Sequence, residues 1–194
     1  MAVFTPLYDW CLGLARHRYA SRYLAGLSFA ESSFFPIPPD VMLAPMSMAR
    51  PERAMFFAII TTLASVIGGL FGYLIGHFAF DLVEPWLHEL GYWEKYLQVR
   101  GWFDVWGFWA ILVAGFSPIP YKVFTIAAGT LSMSLPLFIA GSFIGRGGRF
   151  FLVAGLLARG GPRMEAALRT YVERIGWALV ILAIIAYFYL RHAG

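Results

Sequence analysis

Glu31, Asp40, Lys122, Arg146 and Arg149 stand in stretches of the chain that are otherwise apolar. An ionisable side chain at membrane depth costs roughly 2.5–3.5 kcal/mol on insertion scales, so it must pair, meet water or bind something. The acids and the bases suggest different chemistry. Keeping a carboxyl from water favours its neutral form, so an acid in such a place could take up and release a proton. Glu31 is the first expectation for a proton carrier and Asp40 the second. Guanidinium forks match phosphate oxygens two at a time, and Arg146 and Arg149, three residues apart, fall on one helical face. With Lys122 they form a candidate site for an anionic substrate. Two blander readings stand beside this one. Asp40 could pair with Lys122 and lock two segments together, and the arginines could reach along their stems to the interface.

The surrounding sequence dictates where these charges lie. Of 194 residues, 60% are hydrophobic and 13% charged, against roughly 45–50% and about 25% in a soluble domain; the mean hydropathy is +0.68. Such a chain belongs in a bilayer. A crossing helix takes about 20 residues, so four or five passages fill this length and no second domain is expected. The net charge of +4 reflects bases scattered among apolar segments. Basic flanks of that kind suit a membrane protein, and nucleic acid is not an expected partner.

Read in order, residues 5–23 mix Trp10, Leu12, Leu14 and Tyr19 with Arg16, Arg18 and Arg22, the pattern of an interfacial helix. Residues 24–48 are apolar but hold Pro36, Pro38, Pro39 and Pro45. Proline removes a backbone donor and breaks a helix, so a segment that enters, turns and leaves on one side is expected: a first re-entrant hairpin. Residues 54–80 predict a transmembrane helix. Its glycines Gly68, Gly69, Gly72 and Gly76 make a groove for close helix packing. Residues 81–104 collect charges among Trp and Tyr and predict a surface helix or loop. Residues 106–135, broken at Pro118 and Pro120, predict a second re-entrant hairpin. Residues 137–157 and 175–190 predict two further spans, joined by a basic connection.

The two breaks resemble each other. Pro36-Ile37-Pro38-Pro39-Asp40-Val41 aligns with Pro118-Ile119-Pro120-Tyr121-Lys122-Val123, and a glycine-rich span follows each. Asp40 and Lys122 occupy equivalent places. Paired interrupted segments in corresponding halves point to a transporter site near the midplane, where broken helix ends present uncompensated N–H and C=O groups.

Other chemistry has less to stand on. A lone Cys11 makes no internal disulfide and reads as an ordinary apolar residue. His77 lacks a second His or Cys at ligand spacing, so no metal is expected. Ser32, Ser33, Ser117 and Thr125 suit the freed backbone groups at the breaks better than nucleophilic roles. No cofactor and no enzymatic activity are expected. The first residues, with Asp9, lack the apolar core of a cleaved leader.

Glu31-Ser32-Ser33-Phe34-Phe35-Pro36-Ile37-Pro38-Pro39-Asp40, the run from Gly68 to Gly76, Phe116-Ser117-Pro118-Ile119-Pro120-Tyr121-Lys122 and Ala127-Ala128-Gly129 together resemble the ordered motifs of the DedA family. That family is also called the SNARE-associated or VTT-domain family, and the likeness is to its YqaA-like branch. The resemblance covers residues 24–157. It implies an all-α integral membrane protein with two inverted-repeat re-entrant hairpins, three to four transmembrane helices and an N-terminal interfacial helix. It also implies translocation of lipids, as a flippase or scramblase for a phospholipid or polyprenyl-phosphate carrier, with bacterial members linked to proton-dependent physiology. Glu31 and Asp40 match the family's membrane acids. Where typical members carry two arginines in the second motif, this chain has Gly115 and Tyr121, with Lys122 one place later. Arg146 or Arg149 would then take over a missing charge.

The expectation is a proton-coupled lipid transporter in a bacterial cytoplasmic membrane, whose partners are anionic or phosphate-containing lipids, protons and a possible second copy of the chain. The basic stretch Arg159 to Arg174 places its side of the membrane in the cytoplasm by the positive-inside rule. Two rivals keep the same charges: a proton-coupled small-ion or drug antiporter, which needs no wide lipid path, and a non-transporting membrane organiser.

Overall fold

The computed structural model describes residues 17–33, 37–117 and 120–193. These residues are helical, with no strand among them. In order they form α1 (Ala20–Ser33), α2 (Asp40–Ala49), a 3₁₀ turn (Pro51–Arg53), α3 (Ala54–Glu89), α4 (Trp93–Phe116), α5 (Tyr121–Thr130) and α6 (Leu135–Ala193). Among the described residues two stretches are long and apolar enough to cross a membrane, Pro51–Leu82 and Leu135–Gly160.

The interruptions fall where proline requires them. Pro38 and Pro39 precede α2, and Pro120 precedes α5, placed where a missing N–H costs a helix nothing. Pro36 and Pro118 lie outside the described residues, as does most of the 5–23 segment; its end, residues 20–23, is the first turn of α1. Both proline-broken segments are thus helix–break–helix units. Elsewhere helices run further than charge alone suggested. The 81–104 region is no separate element: α3 continues through Asp81 and Glu84 to Glu89, and α4 begins at Trp93. Gly91, at φ +70°, makes the turn between them, a conformation glycine adopts at no steric cost. Residues 137–157 and 175–190 belong to one continuous helix, because the basic connection between them is helical too. Charged residues end an apolar stretch without ending a helix, since they interrupt no backbone hydrogen bond.

The packing follows an exchange rule. In the first triplet α1 lies on α3, and in the second α4 lies on α6. Across the triplets α2 lies on α6, and α5 on α3. Swapping α1–α3 for α4–α6 therefore preserves these contacts. Glycines make the close approaches. A Cβ on Gly68 would meet the Phe29 carbonyl, and one on Gly145 would meet the Leu112 carbonyl. Phe29 and Leu112 each stand four residues before the end of their helix, α1 and α4. Gly76 and Gly129 seat α5 on α3 reciprocally, the first against the Ile126 backbone and the second against that of Tyr73. A Cβ on Gly69 would come within 3.2 Å of the Tyr121 ring, and one on Gly72 would run into Thr125.

Two apolar cores result. One joins Leu24, Met42, Leu43, Phe57, Phe150 and Leu157; the other joins Tyr73, Phe103, Ile111, Tyr121 and Phe138. The start of α3 meets Phe150 to Leu157 of α6 in the first core, and Tyr73 further along α3 meets Phe138 near the start of α6 in the second, so α3 and α6 run antiparallel. Ile59, Leu63, Ile67, Phe71 and Phe78 of α3 remain exposed. So do Leu137, Phe143 and Ile144 of α6, as on helices that face hydrocarbon.

Candidate functional site

Between the two cores lies a band of polar side chains. Thr61, Thr62 and Ser65 from α3, Ser28, Ser32 and Ser33 from α1, Thr125 from α5, and Ser142 and Arg146 from α6 are all buried. Thr61 and Thr62 bond carbonyls four residues back in their own helix. Ser28 donates to the Thr61 carbonyl at 2.7 Å, and Ser33 to the Gly68 carbonyl at 3.0 Å. Such hydroxyls hold helices together where neither water nor an apolar driving force between helices is available. Ser65 stands near the middle of Pro51–Leu82, and Arg146 and Arg149 flank the middle of Leu135–Gly160. The band is therefore midway along both apolar stretches.

The two arginines organise it. Arg146 forms an ion pair with Glu31 at the end of α1. Its Nε donates to Ser65 Oγ at 2.6 Å and its Nη2 to Ser32 Oγ at 3.3 Å. Ser32 also bonds Glu31 at 3.1 Å and Ser65 at 2.7 Å. Two aromatic rings cover the guanidinium, with its carbon 5.0 Å from the Tyr121 centroid and 4.7 Å from that of Phe150. Tyr121, the first residue of α5, is fixed by a hydrogen bond from its hydroxyl to Ser142 on α6.

Arg149, one turn further on, forms an ion pair with Asp40, the first residue of α2, at 2.7 Å. Its Nη1 donates at 3.0 Å to the Ser117 carbonyl, just past the end of α4. Each arginine thus ties the first break to the second. Arg146 links the end of α1 to the start of α5, and Arg149 links the start of α2 to the end of α4. Pairing offsets the expense of a charge in a low-dielectric interior only when hydrogen bonds satisfy the rest of the group. Helices broken at two places supply such partners.

Four of the five charges singled out in the sequence are therefore drawn into two pairs. The alternative in which Asp40 pairs with Lys122 gives way to a pair between Asp40 and Arg149. Snorkelling to the interface does not describe the arginines either, since both turn inward to the breaks. Lys122 is half-buried at the start of α5, and its carbonyl accepts from Thr125 at 2.9 Å. Sequence reasoning passed over Ser65 and Ser142, whose only signal was a hydroxyl in an apolar span at the depth of the arginines. It noticed Tyr121 only as a departure from a pattern.

A protein defined by helix–break–helix units and charges midway along apolar spans is membrane-associated and transporter-like in architecture. The VTT domain model matches residues 35–159. The chain belongs to the VTT-domain, or DedA, family. It is 48% identical to an uncharacterized protein of Haemophilus influenzae over 99% of this chain and all of that one. It is 46% identical to an uncharacterized protein of Histophilus somni over 98% of this chain and all of that one. No solved structure matches. Both positions where the family pattern carries arginine contact Arg146 here. The Tyr121 ring lies under its guanidinium, and a Cβ on Gly115 would come within 3.2–3.4 Å of its backbone nitrogen and Cγ. Gly115 lets α4 sit directly on α6, where even a Cβ would be tight against the α6 backbone.

Proposed function

We propose that the protein translocates membrane lipids with a phosphate-bearing headgroup, coupled to protons, and that its two proline-broken units are inverted re-entrant hairpins meeting within the bilayer. The observation that carries this reading is the pair of arginine–carboxylate bridges, midway along the apolar spans, each joined to both breaks. The exchange of contacts between the two triplets supports the inverted repeat. Lys122, Arg146 and Arg149 supply the positive charge around the site in this proposal, with Glu31 and Asp40 as proton carriers. A carboxyl that accepts a proton releases its guanidinium; an anion arriving on the guanidinium frees the carboxyl to accept the proton. Proton and headgroup then favour each other's binding, and linkage makes the effect reciprocal. For transport, the loaded and unloaded forms must prefer different exposures, since a ligand with equal affinity for both shifts nothing. The proposed setting is a multi-pass arrangement in the bacterial cytoplasmic membrane, with the Arg159 to Arg174 side cytoplasmic.

The test is headgroup accessibility of labelled phospholipids and a polyprenyl phosphate in vesicles with purified protein, across pH. Wild type accelerates exchange of at least one of these lipids, and the acceleration drops in folded Arg149→Gln and Lys122→Ala variants. Folded wild type that accelerates none of them sinks the lipid reading; a soluble cation moved against protons by the same vesicles would put the antiporter in its place.

A further inference from the structure

The two bridges are built for different work. The Arg146 side chain is 3% exposed and its Glu31 partner 15%. Its Nε is engaged by Ser65 and its Nη2 by Glu31 and Ser32, and Tyr121 and Phe150 cover its guanidinium. Glu31, Ser32, Ser65 and Arg146 close a ring of hydrogen bonds drawn from three helices. An anion gripping the Nε–Nη2 edge of Arg146 would have to displace a carboxylate and two hydroxyls, beneath a pair of aromatic rings.

The second bridge is looser. Arg149 is 15% exposed and Asp40 24%. Asp40 reaches Arg149 with Oδ2 alone, and its other oxygen, Oδ1, has no hydrogen-bond partner among the described residues. Arg149 Nε likewise has none. Nε and Nη2 form one edge of a guanidinium, the edge that grips two oxygens of a phosphate or carboxylate in parallel. Asp40 takes Nη2 and leaves Nε, so half of that fork is used.

Resting on the lipid-translocation reading above, we infer that Arg149 is the exchangeable oxyanion subsite, with Asp40 as the internal group that an arriving phosphate displaces, and that Arg146 is a fixed clasp that does not itself bind the anion. A phosphate group, borne by a lipid or free in solution, gains both fork contacts where Asp40 has one. It meets only one competitor, in the more open of the two sites. Arg149 keeps its bond to the Ser117 carbonyl meanwhile, so the guanidinium stays aimed while its partner changes. Buried polar groups without partners are rare in folded proteins and call for an explanation; two on facing members of one pair mark where a further ligand completes the set.

Arginine modification by phenylglyoxal, read residue by residue by mass spectrometry, tests this on the full-length protein in maltoside micelles free of phosphate. Arg149 reacts about tenfold faster than Arg146, the ratio expected when one site opens more readily by roughly 1.4 kcal/mol. Inorganic phosphate or short-chain phosphatidic acid slows Arg149 and leaves Arg146 unchanged. In Asp40→Asn the protecting concentration falls about tenfold, because the competing charge is gone. Protection by phosphatidic acid alone assigns the anion to a lipid, and protection by inorganic phosphate alone assigns a free anion; either supports the subsite. Equal reactivity of the two arginines overturns the inference, as does an Arg149 that neither phosphate source protects. The vesicle assay on the same preparation separates the two claims. Lipid exchange with Arg149 unprotected removes the subsite and leaves translocation standing, whereas protection without lipid exchange does the reverse.

Discussion

Arg146 and Arg149 lie one turn apart on the same helix, at the same depth, and each meets one carboxylate and both chain breaks. Spacing along α6 gives them equal claims on any function, and their surroundings do not. The Arg146 end is closed by serine hydroxyls and aromatic rings, while the Arg149 end keeps a half-used fork and a partly exposed acid. A charge's role in a membrane protein is thus decided less by its depth than by how completely its donors and faces are already occupied. An ion pair enclosed by its neighbours organises the structure, and one that leaves a buried fork half used is available to exchange.

The largest test of that contrast is truncation. Arg146→Ala leaves Glu31, largely enclosed, without its cation, and removing one member of a buried pair costs about 3–5 kcal/mol. Denaturant titration in detergent should show a loss of that size, with Arg149→Ala losing less because its partner is the less enclosed of the two acids. Equal losses would erase the distinction between clasp and subsite.

Next in size is an indirect perturbation. A Cβ on Gly129 would run into the Tyr73 backbone, so Gly129→Val forces α5 away from α3 at a cost of about 1–3 kcal/mol for overpacking. Because α5 carries the ring over Arg146, the same variant should bring Arg146 reactivity toward that of Arg149. An unchanged reactivity ratio would show that Phe150 and the serines suffice to close the clasp.

Asp40→Asn removes a charge but keeps an acceptor at the same place. The expected loss is about 1.5 kcal/mol, the low end for a hydrogen bond between charged groups, measured by the same titration. A loss as large as that of Arg146→Ala would make this pair structural as well.

Much of this architecture is legible in the residues alone. Pro38, Pro39 and Pro120 mark the breaks because a missing N–H and a fixed φ act locally. Gly68 and Gly76 announce close packing because no other residue allows it. The five charges stand out because an apolar stretch makes them expensive. Which acid meets which base is not legible, since it depends on how far α1 and α2 each reach along α6. One turn of helix separates the partner of Glu31 from that of Asp40, and no local rule sets that register. The extent of α3 and α6 was hidden for a different reason. Asp81, Glu84 and the basic stretch after Arg159 change polarity but not helical hydrogen bonding, so hydropathy ends a span where the backbone continues. Tyr121 is informative only in three dimensions, where its ring faces a guanidinium contributed 25 residues later.

Tyr121 also supplies the finest test, because its two contacts can be separated. Tyr121→Phe keeps the ring against Arg146 and deletes the hydroxyl bonded to Ser142. The loss should be about 1 kcal/mol, the net worth of one buried hydrogen bond, read as a small shift in the denaturation midpoint. If the ring alone covers the guanidinium, Arg146 stays as slow toward phenylglyoxal in this variant as in wild type. If its reactivity rises instead, the bond to Ser142 holds the ring in place, and closure of the clasp depends on α5 being tied to α6 as well as seated on α3. That result would extend the clasp from a pair of charges to a joint between the two helices.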